Sequence, residues 1–139
     1  MKNIYKIIPI IIGILLSYST QNAKAQVSQA EFDALVALYI STGGKNWINK
    51  TNWNINGTKD VVTSAWYGIT VEDNKVTKID LSNNGLTGHI PDNIGNFINL
   101  KNLRLNNNEL TYLSFAIGLC TNLEIIDISK PECSLIKLR

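Results

Sequence analysis

Apolar residues recur with the same spacing in three successive segments of the chain. The segments are VTKIDLSNNGL (Val76 to Leu86), LKNLRLNNNEL (Leu100 to Leu110) and LEIIDISKPEC (Leu123 to Cys133). Positions 1, 4, 6 and 11 of each segment are apolar, except that cysteine takes position 11 of the third. The starting positions are almost evenly spaced along the chain. This period predicts a stack of similar coils.

Each segment predicts a short strand that ends in a structured bend. Positions 4 and 6 are separated by one residue, so a strand turns both side chains to the core and leaves positions 3, 5, 7 and 8 outside. Position 9 is Asn84 and then Asn108, and Pro131 replaces it in the third segment. An asparagine amide can both donate to and accept from the backbone of a neighbouring coil. We therefore predict a structural ladder of buried asparagines, Asn84 and Asn108.

An amphipathic helix is predicted before the repeats, over about residues 29–41. Ser28 followed by Glu31 forms a capping box. Apolar residues then recur at helical spacing, and Gly43 with Gly44 ends the run.

Three tryptophans follow this helix, at Trp47, Trp53 and Trp66. Their rings could form a platform on which a sugar stacks. The open end of a solenoid, however, needs a cap with an apolar inner face. We therefore assign the three rings to the core of an N-terminal cap.

The N-terminal segment, from Met1 to Ala25, has the three-part layout of a secretory signal peptide. Lys2 and Lys6 precede an apolar run from Ile7 to Leu16, and Ala23 and Ala25 form a small-x-small cleavage site. A retained membrane anchor is the alternative, but the run has about half of the roughly 20 apolar residues that a spanning helix needs. We expect cleavage after Ala25, a secreted or cell-surface protein, and no membrane insertion afterwards.

Charge and motif content exclude several function classes. The chain has 13 basic and 11 acidic residues; three of the lysines belong to the signal peptide, so the positive charge typical of nucleic-acid binding is absent from the remainder. The sequence has no Cys/His cluster with metal-ligand spacing and no glycine-rich phosphate loop. His89 is the only histidine and is expected in a solvent-facing bend. We expect no catalytic residue, no metal and no cofactor. Cys120 and Cys133 are expected to be buried thiols, with a disulfide as the alternative.

The repeats resemble leucine-rich repeats, whose signature is L-x-x-L-x-L-x-x-N-x-L. The stretch LTGHIPDNIGNFINL, from Leu86 to Leu100, is similar to the plant-type subclass of these repeats. The TGG-x-x-W turn, the stretch WYGIT and the start of the first repeat resemble the N-terminal cap of that subclass, most closely in secreted bacterial proteins. Plant relatives often carry a disulfide across this cap, whose two positions are here Ser64 and Val71.

The predicted fold class is an α/β solenoid. We expect a short leucine-rich repeat stack of about two and a half repeats behind a helical, Trp-containing N-terminal cap. The expected boundaries are 1–25 for the signal peptide, 26–75 for the cap, and 76–139 for the repeats, divided into 76–99, 100–122 and an incomplete 123–139.

The resemblance implies a non-catalytic binding module whose concave strand face recognises a protein or glycan ligand. The candidate residues occupy positions 3, 5, 7 and 8 of the repeats. They are Lys78, Asp80, Ser82, Asn83, Asn102, Arg104, Asn106, Asn107, Asp127 and Ser129. Asp80, Arg104 and Asp127 share position 5, so we expect them to form an ion-pair ladder across adjacent strands.

Two alternative interpretations stay open. The third repeat is incomplete and lacks the C-terminal cap that a solenoid needs, which favours a truncated or frame-shifted fragment of a longer surface protein and self-association through the open end. The second alternative is an enzyme with Asp80 and Asp127 as paired carboxylates. At about 10 Å apart across two coils, with Arg104 between them, these residues suit an ion-pair ladder better than acid–base catalysis.

Overall fold

The computed structural model describes residues 26–62, 65–129 and 137–138. The expected signal peptide lies outside the described residues, and so do Ser64, Pro131 and Cys133. Within the described ranges, no helix has the length and hydrophobicity required to cross a membrane.

The helix α1 spans Gln29–Ser41, and its N-terminus carries the capping box that the sequence predicts. The Ser28 hydroxyl accepts from the Glu31 N–H at 3.2 Å, and Glu31 Oε2 accepts from the Ser28 N–H at 3.2 Å. The other carboxylate oxygen of Glu31 accepts from the Val76 N–H at 3.0 Å. This buried carboxylate therefore joins the helix to the first repeat, a link that the local sequence pattern does not reveal.

The end of α1 is tied to the repeats through one carbonyl group. The chain turns at Gly43, whose φ of +70° lies in the left-handed region that glycine tolerates. The Thr42 carbonyl accepts from the Trp47 indole N–H and from the Thr87 N–H, each at 3.1 Å. Both ends of the helix are thus fixed to the solenoid by hydrogen bonds to buried groups.

The repeat strands form a four-stranded sheet with the order β1-β2-β4-β6. Its strands are β1 (Ile69–Glu72), β2 (Lys75–Asp80), β4 (Asn102–Arg104) and β6 (Ile125–Asp127). The strand β1 is antiparallel to β2, whereas β2, β4 and β6 are mutually parallel. The parallel strands come from equivalent positions of successive repeats, as the period predicts.

A second, three-stranded parallel sheet lies in the segments that the sequence analysis treats as bends. It has the order β3-β5-β7, with β3 at Thr87–Ile90, β5 at Glu109–Leu113 and β7 at Lys137–Leu138. His89 therefore belongs to a strand, and the expectation that it lies in a loop is wrong. Short 3₁₀ helices occupy Gly44–Asn46 and Lys59–Val61 in the cap, and longer ones at Asp92–Asn96 and Phe115–Leu119 return the chain to the next repeat strand.

The β7 pairing departs from the period of the preceding repeats. Ile90 pairs with Leu113, and Leu113 in turn pairs with Leu138. The step from Leu113 to Leu138 is longer than the step from Ile90 to Leu113. It is also longer than either step between the paired positions of β2, β4 and β6. The chain between β6 and β7 is therefore slightly longer than its counterpart in the preceding repeat.

The core contains the apolar positions of the first two repeats. At positions 4, 6 and 11 the side chains are almost fully buried: Ile79, Leu81, Leu86, Leu103, Leu105 and Leu110. Cys120 is a buried free thiol, and burial raises its pKa. The burial agrees with the alignment of Cys120 with Phe97, which is also buried. In the third repeat, Ile126 at position 4 is 47% exposed.

The three tryptophan rings lie together in one aromatic cluster. Trp47 and Trp66 are buried, and Trp53 packs against the core between them, with ring centroids 4.8 and 4.9 Å away. Phe32 and Tyr39 of α1 complete this aromatic cluster. Burial of Trp47 and Trp66 leaves neither ring face free to stack on a sugar.

The position-9 asparagines connect successive layers of the solenoid. Asn84 Oδ1 accepts from the Asn49 N–H at 2.7 Å, and its Nδ2 donates to the Asn49 carbonyl at 2.9 Å. Asn108 Oδ1 accepts from the N–H groups of Asn84 and Leu86, both at 3.0 Å. Its Nδ2 donates to the carbonyl of Leu81 at 2.8 Å. The ladder thus runs from Asn49 through Asn84 to Asn108.

Loss of the Asn108 amide should therefore destabilise the protein more than loss of the half-buried Asn106 amide. We predict that Asn108→Ala lowers the free energy of unfolding by about 1–3 kcal/mol, because the N–H groups of Asn84 and Leu86 and the carbonyls of Leu81 and Leu105 lose their buried partners. Asn106→Ala, a control on the same bend that is only half-buried, should cost less. Urea unfolding of the two variants measures the difference, and equal losses would contradict the ladder.

The buried Glu31 carboxylate gives a second prediction. Glu31→Gln replaces one acceptor oxygen with an N–H₂ group that faces backbone or hydroxyl donors, and we expect a loss of about 1–3 kcal/mol in unfolding free energy. Asp33→Asn removes the same charge from an exposed site on the same helix and should change stability by less than about 0.5 kcal/mol. A Glu31→Gln protein as stable as Asp33→Asn would show that this carboxylate does not hold the helix to the repeat.

Candidate functional site

The ten predicted recognition residues lie on one surface, the strand face. This surface comprises the solvent-facing side of β2, β4 and β6 and the residues that follow each strand. Backbone pairing aligns Lys78 with Asn102 and Asn102 with Ile125. It also aligns Asp80 with Arg104 and Arg104 with Asp127. Adjacent strands are about 4.8 Å apart, so each repeat position forms a row across the face.

The expected ion-pair ladder along the position-5 row does not form. Asp80 Oδ2 lies 3.2 Å from the ammonium of Lys78, which precedes it on the same strand. Asp127 is held by Ser129, whose N–H and hydroxyl donate to Oδ1 at 3.1 and 2.8 Å. Each carboxylate is thus satisfied by a residue two positions away in the chain. Arg104 has no carboxylate within 4.0 Å in the part of the chain that the structure describes.

The pKa of Asp80 is lowered by its neighbours. Partial burial alone would raise this pKa, but the hydrogen bond from the Ser82 hydroxyl and the Lys78 ammonium together outweigh burial. Asp80 is therefore ionised at neutral pH. Its contribution to stability is present at neutral pH and is lost only as the pH falls through the lowered pKa.

The pKa of Asp127 is also lowered, first by the hydrogen bond from the Ser129 hydroxyl and then by the Ser129 N–H. The Arg104 guanidinium lowers it further, whereas the negative charge of Asp80 raises it. Strand register places Arg104 beside Asp127, but the two side chains do not form a contact ion pair. The row consequently presents alternating fixed charges at neutral pH.

The position-8 asparagines have a conformational role that the sequence analysis missed. Asn83 and Asn107 have φ values of 53° and 57°, in the left-handed region where asparagine is the most common residue after glycine. Asn107 Nδ2 donates to Asn83 Oδ1 at 3.0 Å, which forms a second amide contact between repeats. These two candidates are thus partly committed to the bend itself.

The position-7 residues also contact each other. The Ser82 hydroxyl lies 2.9 Å from Asp80 Oδ1 and 2.6 Å from Asn106 Oδ1. A hydroxyl has one proton and therefore donates to one of these oxygens at a time. At position 3, Asn102 Oδ1 is buried and has no hydrogen-bond partner among the described residues.

The single histidine of the sequence lies away from the strand face. His89 stacks on Tyr112 of β5 with ring centroids 4.7 Å apart, on the second sheet rather than on the strand face. A cleft of about 550 Å³ in the cap is lined by Tyr39, Ile40, Lys45 and Asn56 among others, and no histidine, cysteine or carboxylate lines it. Residues 26–62, 65–129 and 137–138 contain no group of three metal-binding side chains.

Comparison with known proteins identifies the repeat. Residues 75–97 match the family model described as Leucine Rich Repeat. A probable inactive receptor kinase from Arabidopsis thaliana is 34% identical over 98 residues, which make up 70% of this chain and 14% of that protein. The chain therefore spans a small part of the length of this relative.

Two solved structures share the fold. The LRR ectodomain of the receptor kinase SOBIR1 from Arabidopsis thaliana has a TM-score of 0.53 and 22% identity, and the match covers 74% of this chain and 54% of that one. The PEPR1-AtPEP1 structure has a TM-score of 0.50 and 18% identity over 80% of this chain and 18% of that one. Residues 75–97 are therefore a leucine-rich repeat, and the described chain has the α/β solenoid fold of plant-type leucine-rich repeat proteins.

Proposed function

We propose that this chain is a non-catalytic recognition module that binds a protein through its strand face. The carrying observation is the alignment of the position-3 and position-5 side chains of three parallel strands in rows on one rigid surface. Repeat proteins use such extended strand surfaces to bind partners. On β2 and β4, the apolar residue between position 3 and position 5 is fully buried. The side chains at positions 3 and 5 can therefore vary without loss of the core.

The similar proteins are consistent with this function. SOBIR1 is represented by an ectodomain, and PEPR1 is present together with AtPEP1. A protein ligand suits the strand face better than a glycan, because two of the three tryptophans that could stack on sugars are buried in the cap.

The proposed organisation places the signal peptide at 1–25, the cap at 26–75 and the repeats at 76–139. In this proposal the protein acts outside the cell, free or at the cell surface, as its resemblance to secreted bacterial repeat proteins with this cap implies. The cap closes one end of the core, and the repeats carry the strand face.

Export with cleavage after Ala25 gives a direct prediction. Mass spectrometry of the protein expressed in its source cells should find an extracellular form that begins at Gln26. Ala25→Arg replaces the small residue at the cleavage site and should leave the full-length form attached to the cells. Recovery of an uncleaved wild-type protein inside the cell would contradict the proposed location.

The strand face predicts which surface substitution abolishes binding. Ile125 is 41% exposed in the position-3 row, so Ile125→Arg should block a partner with little effect on folding. Asn93→Arg, in the exposed part of the 3₁₀ helix Asp92–Asn96, adds the same side chain away from the strand face. In pull-downs from the native culture medium, we expect wild type and Asn93→Arg to recover the same proteins and Ile125→Arg to lose them. The reverse result would place the binding surface elsewhere.

A further inference from the structure

The sequence contains two Asn-Gly pairs, and the structure gives them opposite environments. They are Asn56-Gly57, which precedes the repeats, and Asn84-Gly85, at the bend of the first repeat. An asparagine that is followed by glycine is chemically labile, because glycine has no Cβ to keep its backbone nitrogen away from the preceding side-chain amide. Both pairs share this chemistry, so the environment of each pair decides whether it reacts.

The Asn84 amide is held through both of its polar atoms. Its Oδ1 accepts from the Asn49 N–H at 2.7 Å, and its Nδ2 donates to the Asn49 carbonyl at 2.9 Å. The residue is only 1% exposed. Attack by the Gly85 nitrogen requires the amide to rotate, and this rotation breaks both hydrogen bonds and needs a local opening of the structure.

Asn56 lies in an exposed turn, and its side chain is free to rotate. The side chain is exposed and forms no hydrogen bond with any other residue that the structure describes. One backbone bond restrains the pair, because the Gly57 N–H donates to the Asn54 carbonyl at 3.2 Å. An exposed turn opens readily, since water replaces the lost hydrogen bond. The Gly57 nitrogen can therefore reach the side-chain carbon of Asn56.

We propose that Asn56 is a site of spontaneous deamidation in the folded protein and that the asparagine ladder protects Asn84 from the same reaction. The Gly57 nitrogen forms a bond to Cγ of Asn56, the Cγ–Nδ2 bond breaks, and ammonia leaves with the proton of the Gly57 N–H. Water then opens the resulting cyclic imide. Cleavage of the new N–Cγ bond gives aspartate, and cleavage of the original peptide C–N bond gives isoaspartate.

The reaction changes the charge of the cleft of about 550 Å³ that Asn56 lines. Lys45 carries the only charge among the described residues that line this cleft. Deamidation adds a carboxylate to the same cleft. The protein therefore ages to a more acidic form whose ladder and strand face are unchanged, which goes beyond the proposed recognition function.

Peptide mapping by mass spectrometry tests the proposal, because trypsin separates the two pairs. Cleavage after lysine places Asn56 in the peptide of residues 51–59 and Asn84 in the peptide of residues 79–101. The folded full chain is incubated for several days at mildly alkaline pH, and conversion of amide to acid is followed at each residue. We expect Asn56 to convert at least about 10-fold faster than Asn84, because two hydrogen bonds must break before Asn84 reacts. Two products should appear at Asn56, aspartate and isoaspartate.

Two neighbouring asparagines provide internal controls for exposure alone. Asn52 and Asn54 are exposed in the same tryptic peptide, but Trp53 and Ile55 follow them in place of glycine. These side chains shield the backbone nitrogen, so neither control should convert at the rate of Asn56.

A variant and a denaturant separate the two parts of the proposal. Gly57→Ala should slow conversion at Asn56 strongly, and Gly57 is not among the glycines with a left-handed φ, which are Gly43, Gly68, Gly85 and Gly88. In urea the ladder is lost, and Asn84 should then convert at a rate similar to that of Asn56.

Stability measurements show where the reaction is tolerated. Protein converted at Asn56 should unfold at the same urea concentration as fresh protein. Asn84→Asp, which mimics deamidation within the ladder, should unfold at a lower concentration, because its carboxylate cannot donate to the Asn49 carbonyl.

Three outcomes overturn the proposal. Equal conversion of Asn56 and Asn84 in the folded protein would show that the ladder gives no protection. Conversion of both residues only in urea would show that the turn keeps Asn56 unreactive. An Asn84→Asp protein as stable as wild type would show that the Asn84 amide is not held as the structure indicates.

Discussion

The solenoid depends on the hydrogen bonds that the position-9 asparagines make to backbone groups of the adjacent layer. Where a repeat strand ends, the chain turns with some of its backbone groups still buried, among them the N–H groups of Asn84 and Leu86. A buried backbone group without a partner costs about 1–3 kcal/mol. Asn84 and Asn108 supply the missing partners. Because each amide bonds to the layer before it, the same interaction satisfies the bend and fixes the distance between layers.

The cap extends this arrangement to the first layer. Asn84 bonds to the backbone of Asn49 as Asn108 bonds to Asn84 and its neighbours, so the cap residue serves as the layer that precedes the first repeat. Glu31 accepts from the Val76 N–H on the other side of the core. The buried hydrogen bonds beneath the strand face therefore set the spacing between its strands.

The sequence predicts the features that arise from local and repeated patterns. The capping box at Ser28 and Glu31, the inward positions of β2 and β4, and the buried thiol of Cys120 all follow from spacing alone. The second sheet was missed because glycine, asparagine and proline around β3 indicate a bend, while the pairing of β3 with β5 depends on contacts between successive repeats. The partner of Asp80 was missed for a related reason. Strand register places Arg104 opposite, but Lys78 and Ser82 are close in the chain and satisfy the carboxylate first.

The role of Asn83 and Asn107 shows why the site is harder to predict than the fold. An outward asparagine is compatible with partner binding and with a left-handed backbone, and only the φ angle separates these roles. The most direct test of the account concerns the N–H groups of Asn84 and Leu86, which donate to the side-chain oxygen of Asn108. We expect hydrogen exchange measured by NMR to show these two amides as slow as the amides of β4. Exchange as fast as in the exposed turn at residues 54–57 would contradict a ladder that holds the layers together.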